Sequence, residues 1–256
     1  WQDQDAFLRA VAAEFVADNH NLKTIIVRLI LSPYYRGVQV ANQPSEEHKA
    51  ELAYVGTGRL STPELLTKKI MATTGVRWGG TGDLLLGEFK LLYGGIDSNA
   101  IVQRLTSINQ LMASVTQRMA AEVSCSATAF DFTKPADARV LFPLVEPTDT
   151  PDFQEAKIRA NIVHLHARLL GEALADDDPE LERTYNLYRD TWLAGAQNLA
   201  DDVEPTSPSP CSATKDPNTG VALPDEQKLT VDDQYVIRAW QAVIAYLLSD
   251  YSFLYE

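Results

Sequence analysis

The sequence predicts an all-α protein, a multi-helix bundle around one long central helix with long Pro-rich loops between elements. Apolar residues recur at steps of three and four along most of the chain, which keeps them on one side of a helix. Capping residues followed by Pro or Glu mark starts, and Gly marks stops. No alternating pattern of the kind a strand needs persists beyond four residues.

The central helix is expected over Asp97 to Cys125, where Ile101, Leu105, Ile108, Met112, Val115 and Met119 form one stripe. Asp97 or Ser98 is its expected cap, since a short side-chain oxygen accepts from the unpaired first N–H groups. A first helix runs from about Asp3 to Asn19, with Phe7, Leu8, Val11 and Phe15 inward. Asn19-His20-Asn21 interrupts it, and a second helix follows with Leu22, Ile25, Ile26, Leu29 and Ile30 inward, ending before Pro33. A polar connection is expected from Tyr34 to Leu60, with Gln43 to Lys49, including His48, as solvated loop.

Ser61-Thr-Pro-Glu64 has the form of a capping box and opens a helix through Leu65, Leu66, Ile70 and Met71, stopped by Gly75. After the glycine-rich turn Trp78-Gly-Gly-Thr-Gly82, a further helix is expected from Asp83 to Tyr93. Pro135, Pro143, Pro147 and Pro151 mark irregular chain after Cys125, anchored by Phe142, Leu144 and Val145. Thr150-Pro151 restarts helical chain with Ile158, Ile162, Leu165, Leu169 and Leu170 inward, and Asp178-Pro179 opens another with Leu181, Tyr185, Leu187, Tyr188, Trp192 and Leu193. Asp201 to Lys228 is loop. The last helix, about Thr230 to Tyr251, is apolar around much of its circumference and is expected deep in the core. The 256 residues read as a single helical domain, with possible lobes 1–125 and 150–256 joined by irregular 126–149.

The net charge of −13 argues against a nucleic acid or an anionic membrane surface as partner, and is compatible with docking onto a basic protein. No apolar run reaches the roughly 20 residues of a membrane-spanning helix. The chain opens Trp-Gln-Asp-Gln-Asp, with neither Met nor a signal-peptide pattern, an opening expected of a processed product or a fragment. Cys125 and Cys211 are the only cysteines: one disulfide, or two unrelated buried thiols. The Pro- and Ser-rich surroundings of Cys211 make a buried thiol hard to arrange and favour the disulfide.

Candidate chemistry is sparse. His164 and His166 lie two apart and so point about 200° apart on a helix, which prevents their gripping one metal together. Each remains a candidate axial ligand or proton carrier, beside the plainer role of a hydrogen-bonded histidine at the core. His20 fits a helix-to-helix turn. Asp216, Asn218 and Asp225 place oxygen atoms around a glycine-containing loop, the type of ligand calcium prefers, although the spacing is not that of an EF-hand and an ordinary turn explains it as well. Asp176, Asp177 and Asp178 are explained as a helix N-terminal cluster. The Gly79 to Gly82 turn lacks the lysine of a phosphate loop, and no nucleophile elbow, His-Glu-x-x-His or Cys-x-x-Cys-His occurs. No cofactor is therefore expected to be bound covalently. The alternative to a non-catalytic role is a periplasmic enzyme or small-ligand-binding protein with a pocket near His166, Trp192 and Trp240.

Three phrases carry a resemblance. Asn21 to Arg36, Arg59 to Leu66 with Thr74-Gly75, and Tyr246 to Glu256 resemble segments of exported planctomycete-type cytochrome c-associated proteins, an uncharacterised helical family. The resemblance implies helix packing rather than an active site. It also implies an extracytoplasmic address (periplasm or cell surface) and a haem-bearing c-type cytochrome or other redox protein as partner, and export adds to the disulfide reading.

Overall fold

The structure, a computed structural model, describes residues 2–32, 59–97, 99–201, 207 and 211–255. Among them lie eight α-helices and isolated β-bridges but no strand: α1 (Gln2–Ala17), α2 (Leu22–Ile30), α3 (Pro63–Thr74), α4 (Gln110–Phe132), α5 (Pro151–Leu169), α6 (Pro179–Ala200), α7 (Val236–Leu248) and α8 (Tyr251–Leu254). The fold is all-α. The chain divides into two compact units, Trp1–Arg59 and Leu60–Glu256, so the expected join at 126–149 falls inside the second unit. The connection expected from Tyr34, with His48, lies outside the described residues as far as Gly58.

The first unit's described part is a helical hairpin. Asn19 and His20 turn the chain in left-handed geometry, φ 49° and 62°, and the Asn21 side chain accepts from Lys23 N to start α2. Arg28 pairs with Glu14 across the hairpin at 2.8 Å.

In the second unit α7 is the innermost helix. Val236, Ile237, Ala239, Trp240, Val243, Ile244, Leu247 and Leu248 are all buried, with α4, α5 and α6 packed around them. The helix is shorter than expected because Tyr235 adopts φ 60° and ends the helical geometry there. The buried Asp232 carboxylate then accepts from Ile237 N and Arg238 N, capping a terminus that carries no other side-chain cap. Burial raises the Asp232 carboxyl above its usual range. The Tyr235 ring rests on Gly195 of α6, where an added Cβ would lie 1.9 Å from the ring, and the Trp192 indole donates to Gln234 O at 2.8 Å.

The expected central helix is corrected at both ends. Asp97 collects the N–H groups of Asn99, Ala100 and Ile101 on Oδ1, a local bond set that competes with helix formation, and Ile101 and Leu105 stay exposed. Asn109 is the true cap, accepting from Met112 N, and α4 runs past Cys125 to Phe132 on buried small residues such as Ala127, Thr128 and Ala129. In its last turn Asp131, 1% exposed, accepts from Val140 N, Leu141 N and Phe142 N and pairs with Lys134. This sets Phe142 between Phe132 and Trp240, at ring separations of 4.5 and 5.3 Å.

Residues 84–94 form successive turns instead of a helix, because Asp83 at φ 42° and mixed three-, four- and five-residue hydrogen bonds break the repeat. The burial of Leu85, Phe89 and Tyr93 still follows helical spacing. At α3 the cap is Thr62, not Ser61, whose N–H donates to Leu254 O. Glu64 therefore turns outward, where Arg104 grips it bidentately at 2.7 and 3.3 Å, fastening the 97–109 segment to α3. α5 and α6 begin at Pro151 and Pro179 as expected; Leu170 is half-buried against the core, and Leu193, exposed, is misassigned as an inward position.

Two outcomes follow from these joints. Gly195→Ala drives a methyl into the Tyr235 ring and costs about 1–3 kcal/mol in urea unfolding. The penalty shrinks in a Tyr235→Gly background, since glycine keeps the positive φ and removes the ring. The Arg104 hydrogen bond lowers the Glu64 carboxyl from 4.5 to about 2. Its folded-state value is depressed, so its stabilisation is present above pH 4.5 and is lost as pH falls toward 2. Both side chains are more than a third exposed, 38% and 36%, so screening holds the pair to about 1 kcal/mol or less. Glu64→Gln flattens the acid limb of stability over that window, read from urea midpoints across pH.

Candidate functional site

His166 lies near the end of α5, 1% exposed, with both ring nitrogens engaged. Gly171, at φ 74°, reverses the chain after the helix, and the Glu172 N–H returns to His166 O at 3.3 Å. The same turn brings Glu172 Oε2 to 2.9 Å from His166 Nδ1, while Nε2 lies 3.1 Å from Thr184 Oγ1 on α6. With the Nδ1 proton donated to the carboxylate, Nε2 accepts from the hydroxyl. Carboxylate, imidazole and hydroxyl thus stand in the order that activates a hydroxyl nucleophile. Thr184 is fully buried, however, so no substrate reaches its Oγ1, and the chain of bonds works as a clasp between α5 and α6.

A cleft of about 430 Å³ opens beside this clasp, walled in part by His166, Leu170, Glu172, Glu180, Tyr246 and Asp250. The Tyr246 hydroxyl donates to Glu180 Oε1 at 2.6 Å, and Glu180 also pairs with Arg183. A pocket is therefore present at His166, but the two tryptophans expected beside it are elsewhere. Trp240 is fully buried against Phe142 and Tyr188, and Trp192 is spent on Gln234 O.

The other candidate residues fall into separate places. His164 is half-buried, and its Nε2–H donates to Val140 O at 3.0 Å, since a carbonyl can only accept. The two histidines thus serve different neighbours. Asp216 Oδ1 accepts from Asn218 N and Thr219 N, closing its own turn. Asn218 ties that turn to the 75–77 segment, donating to Gly75 O and accepting from Arg77 N, each at 2.9 Å. Asp225 pairs with Lys228, which lowers its carboxyl below the usual range. Asp216 and Asn218 thus serve the turn itself and Asp225 a surface ion pair, and among the described residues no three His, Cys, Asp or Glu side chains gather to hold a metal ion. Cys125 and Cys211 form a disulfide across 86 residues of sequence, tying the 211–220 loop to α4.

The hairpin of the first unit presents the other candidate surface. Val11 is the one apolar residue buried in its described part, and α2 buries none. Leu22, Ile26, Leu29 and Ile30, expected to point inward, are between 40% and 66% exposed, and Val27 and Leu31 lie open beside them. Periodicity states which side chains share a face; it carries no information on what covers that face. Among the described residues no helix is long and apolar enough to cross a membrane.

Comparison with protein-family models, curated proteins and solved structures finds no match.

The clasp has a measurable weight. Thr184→Val keeps the shape and leaves His166 Nε2 without a donor, and the variant loses about 1–3 kcal/mol of stability in denaturant unfolding. A loss below about 0.5 kcal/mol would show that His166 is held by other contacts.

Proposed function

We propose that this chain is a non-catalytic helical docking subunit, working in an oxidising extracytoplasmic compartment, with a haem-bearing c-type cytochrome or other redox protein as its partner. The observation that carries the docking part is the open apolar face of the α1–α2 hairpin. Soluble proteins seldom leave such a contiguous face in water, and those that do use it for association. The disulfide fits an exported protein, because a cross-link of this kind persists outside the reducing cytoplasm. The choice of partner rests on the resemblance of the Asn21–Arg36, Arg59–Leu66 and Tyr246–Glu256 phrases to cytochrome c-associated proteins, and the net charge of −13 suits a basic docking surface.

A second reading, small-ligand binding, is favoured by the cleft beside His166. There the imidazole serves as wall rather than reagent, since both its nitrogens are occupied.

The docking reading is tested by purification from the native source with visible absorbance and native mass. The wild-type chain is expected to run with a separate haem-bearing chain and to carry its Soret band. Ile26→Asp combined with Ile30→Asp, which puts two carboxylates on the exposed face, releases that chain while the melting temperature of the second unit stays within about 2 °C. A wild-type chain running colourless at its own 28.3 kDa would overturn the reading.

A further inference from the structure

A groove on the second unit has features that neither the docking face nor the His166 cleft uses. One wall is a single face of α4, where Glu122, Ser126 and Phe130 follow one another at four-residue steps. The other walls are the 77–81 turn and the 212–217 loop. The groove widens into two chambers of about 290 and 220 Å³ that share Ser126, Lys215 and Pro217, each just below the range of small-molecule sites, about 300–1,000 Å³.

The walls are held in place by the fold. The Cys125–Cys211 disulfide joins α4 to the loop immediately beside Ser126 and Ser212. Asn218 bonds to both Gly75 and Arg77, and Gly80 packs so closely on Pro217 O that a Cβ there would sit 2.5 Å from it. A groove pre-ordered at three points pays little conformational entropy on binding.

Its electrostatics run against those of the chain. Arg77 and Lys215 both line the larger chamber, both are exposed, and neither side chain has a hydrogen bond or ion pair among the described residues. The one carboxylate in that chamber, Glu122, is already satisfied: Oε2 accepts from the Trp78 indole at 2.8 Å and Oε1 from Arg118 Nε at 2.7 Å. In a protein of net charge −13, two unpaired cations thus share a fixed concave surface whose acid is neutralised. The Ser126 hydroxyl at the join donates to Glu122 O of its own helix, and the half-buried Phe130 ring lies in the smaller chamber.

From this arrangement we infer that the groove binds a small organic oxyanion, a carboxylate or phosphate monoester on a compact apolar body. The headgroup sits between Arg77 and Lys215, and the body extends along α4 toward Phe130. Arginine supplies a planar donor fork for two oxygens of a carboxylate or phosphate, and lysine a point charge beside it. The groove belongs to the second unit and uses none of the docking face's residues, so its success or failure leaves the docking reading untouched.

The test is a calorimetric titration of the full, oxidised chain with inorganic phosphate, phenyl phosphate and benzoate, at ionic strength held constant with chloride. Saturable binding of phenyl phosphate or benzoate is expected, tighter than that of inorganic phosphate, and the tighter of the two identifies the headgroup. Arg77→Gln and Lys215→Gln each weaken it about tenfold or more, the loss of one charge-assisted contact. Both side chains are exposed, so both variants are expected to fold, and an unchanged circular dichroism melt checks this. No saturable binding of any probe, or binding that both variants leave within about twofold, overturns the proposal.

Discussion

The Asp131 carboxylate stands at the point where the second unit's core is assembled. A buried charge is costly unless paired and hydrogen-bonded, and here it accepts three consecutive backbone N–H groups and holds Lys134 at 3.2 Å. Those three donors belong to Val140, Leu141 and Phe142, a stretch with no helix or strand partners of its own. Satisfying them from a side chain lets irregular backbone enter the interior with its polar groups met. Asn161 of α5 completes the arrangement, donating to Leu141 O at 3.1 Å. Phe142 is thereby delivered onto Trp240, and α4, α5 and α7 are joined through one carboxylate.

Around that anchor the helices are fastened mainly by their ends. Lys69 of α3 bonds to the carbonyls of Ser252, Phe253 and Tyr255 and lies over the Phe253 ring, holding the C-terminal turn. Arg168 of α5 caps α3 through Thr73 O and Ala72 O. Asp232 caps α7 from inside the core. Each is a charged group meeting the orphaned backbone groups of a helix terminus, where opposite partial charge is concentrated. The apolar faces bring the helices together, and the terminal contacts select one register among the packings those faces permit.

This division explains what could be read in advance. Thr150-Pro151, Asp178-Pro179 and Gly171 mark real helix boundaries, and Ile158, Ile162, Leu165 and Leu181 are buried as their spacing implies. The start of α4 was hidden because the Ile101 and Leu105 stripe continues the helical period, whereas Asp97 uses its oxygen on nearby N–H groups, a competition that periodicity does not register. The site chemistry was less legible still. The Glu172 contact with His166 lies one residue past a glycine turn and was within reach, but Thr184 is eighteen residues further along than His166 and on another helix. Arg77 and Lys215 share a groove only because a disulfide and one asparagine bring distant segments together.

The two units also differ in how they meet the cost of folding. The second has a closed core with Trp240, Tyr188, Phe142 and Met112 fully buried. The described hairpin of the first unit buries a single apolar side chain, while its ion pair between Arg28 and Glu14 is solvent-exposed and worth little. A nine-residue helix such as α2 is marginal alone in water, because nucleation must be repaid by tertiary packing. A partner surface laid over Leu22, Ile26 and Ile30 would, on the docking reading, contribute to the ordering of the hairpin as well as to its attachment. On the docking reading, folding of α2 and association are coupled, and affinity falls short of what the buried apolar area alone would give by the cost of that ordering.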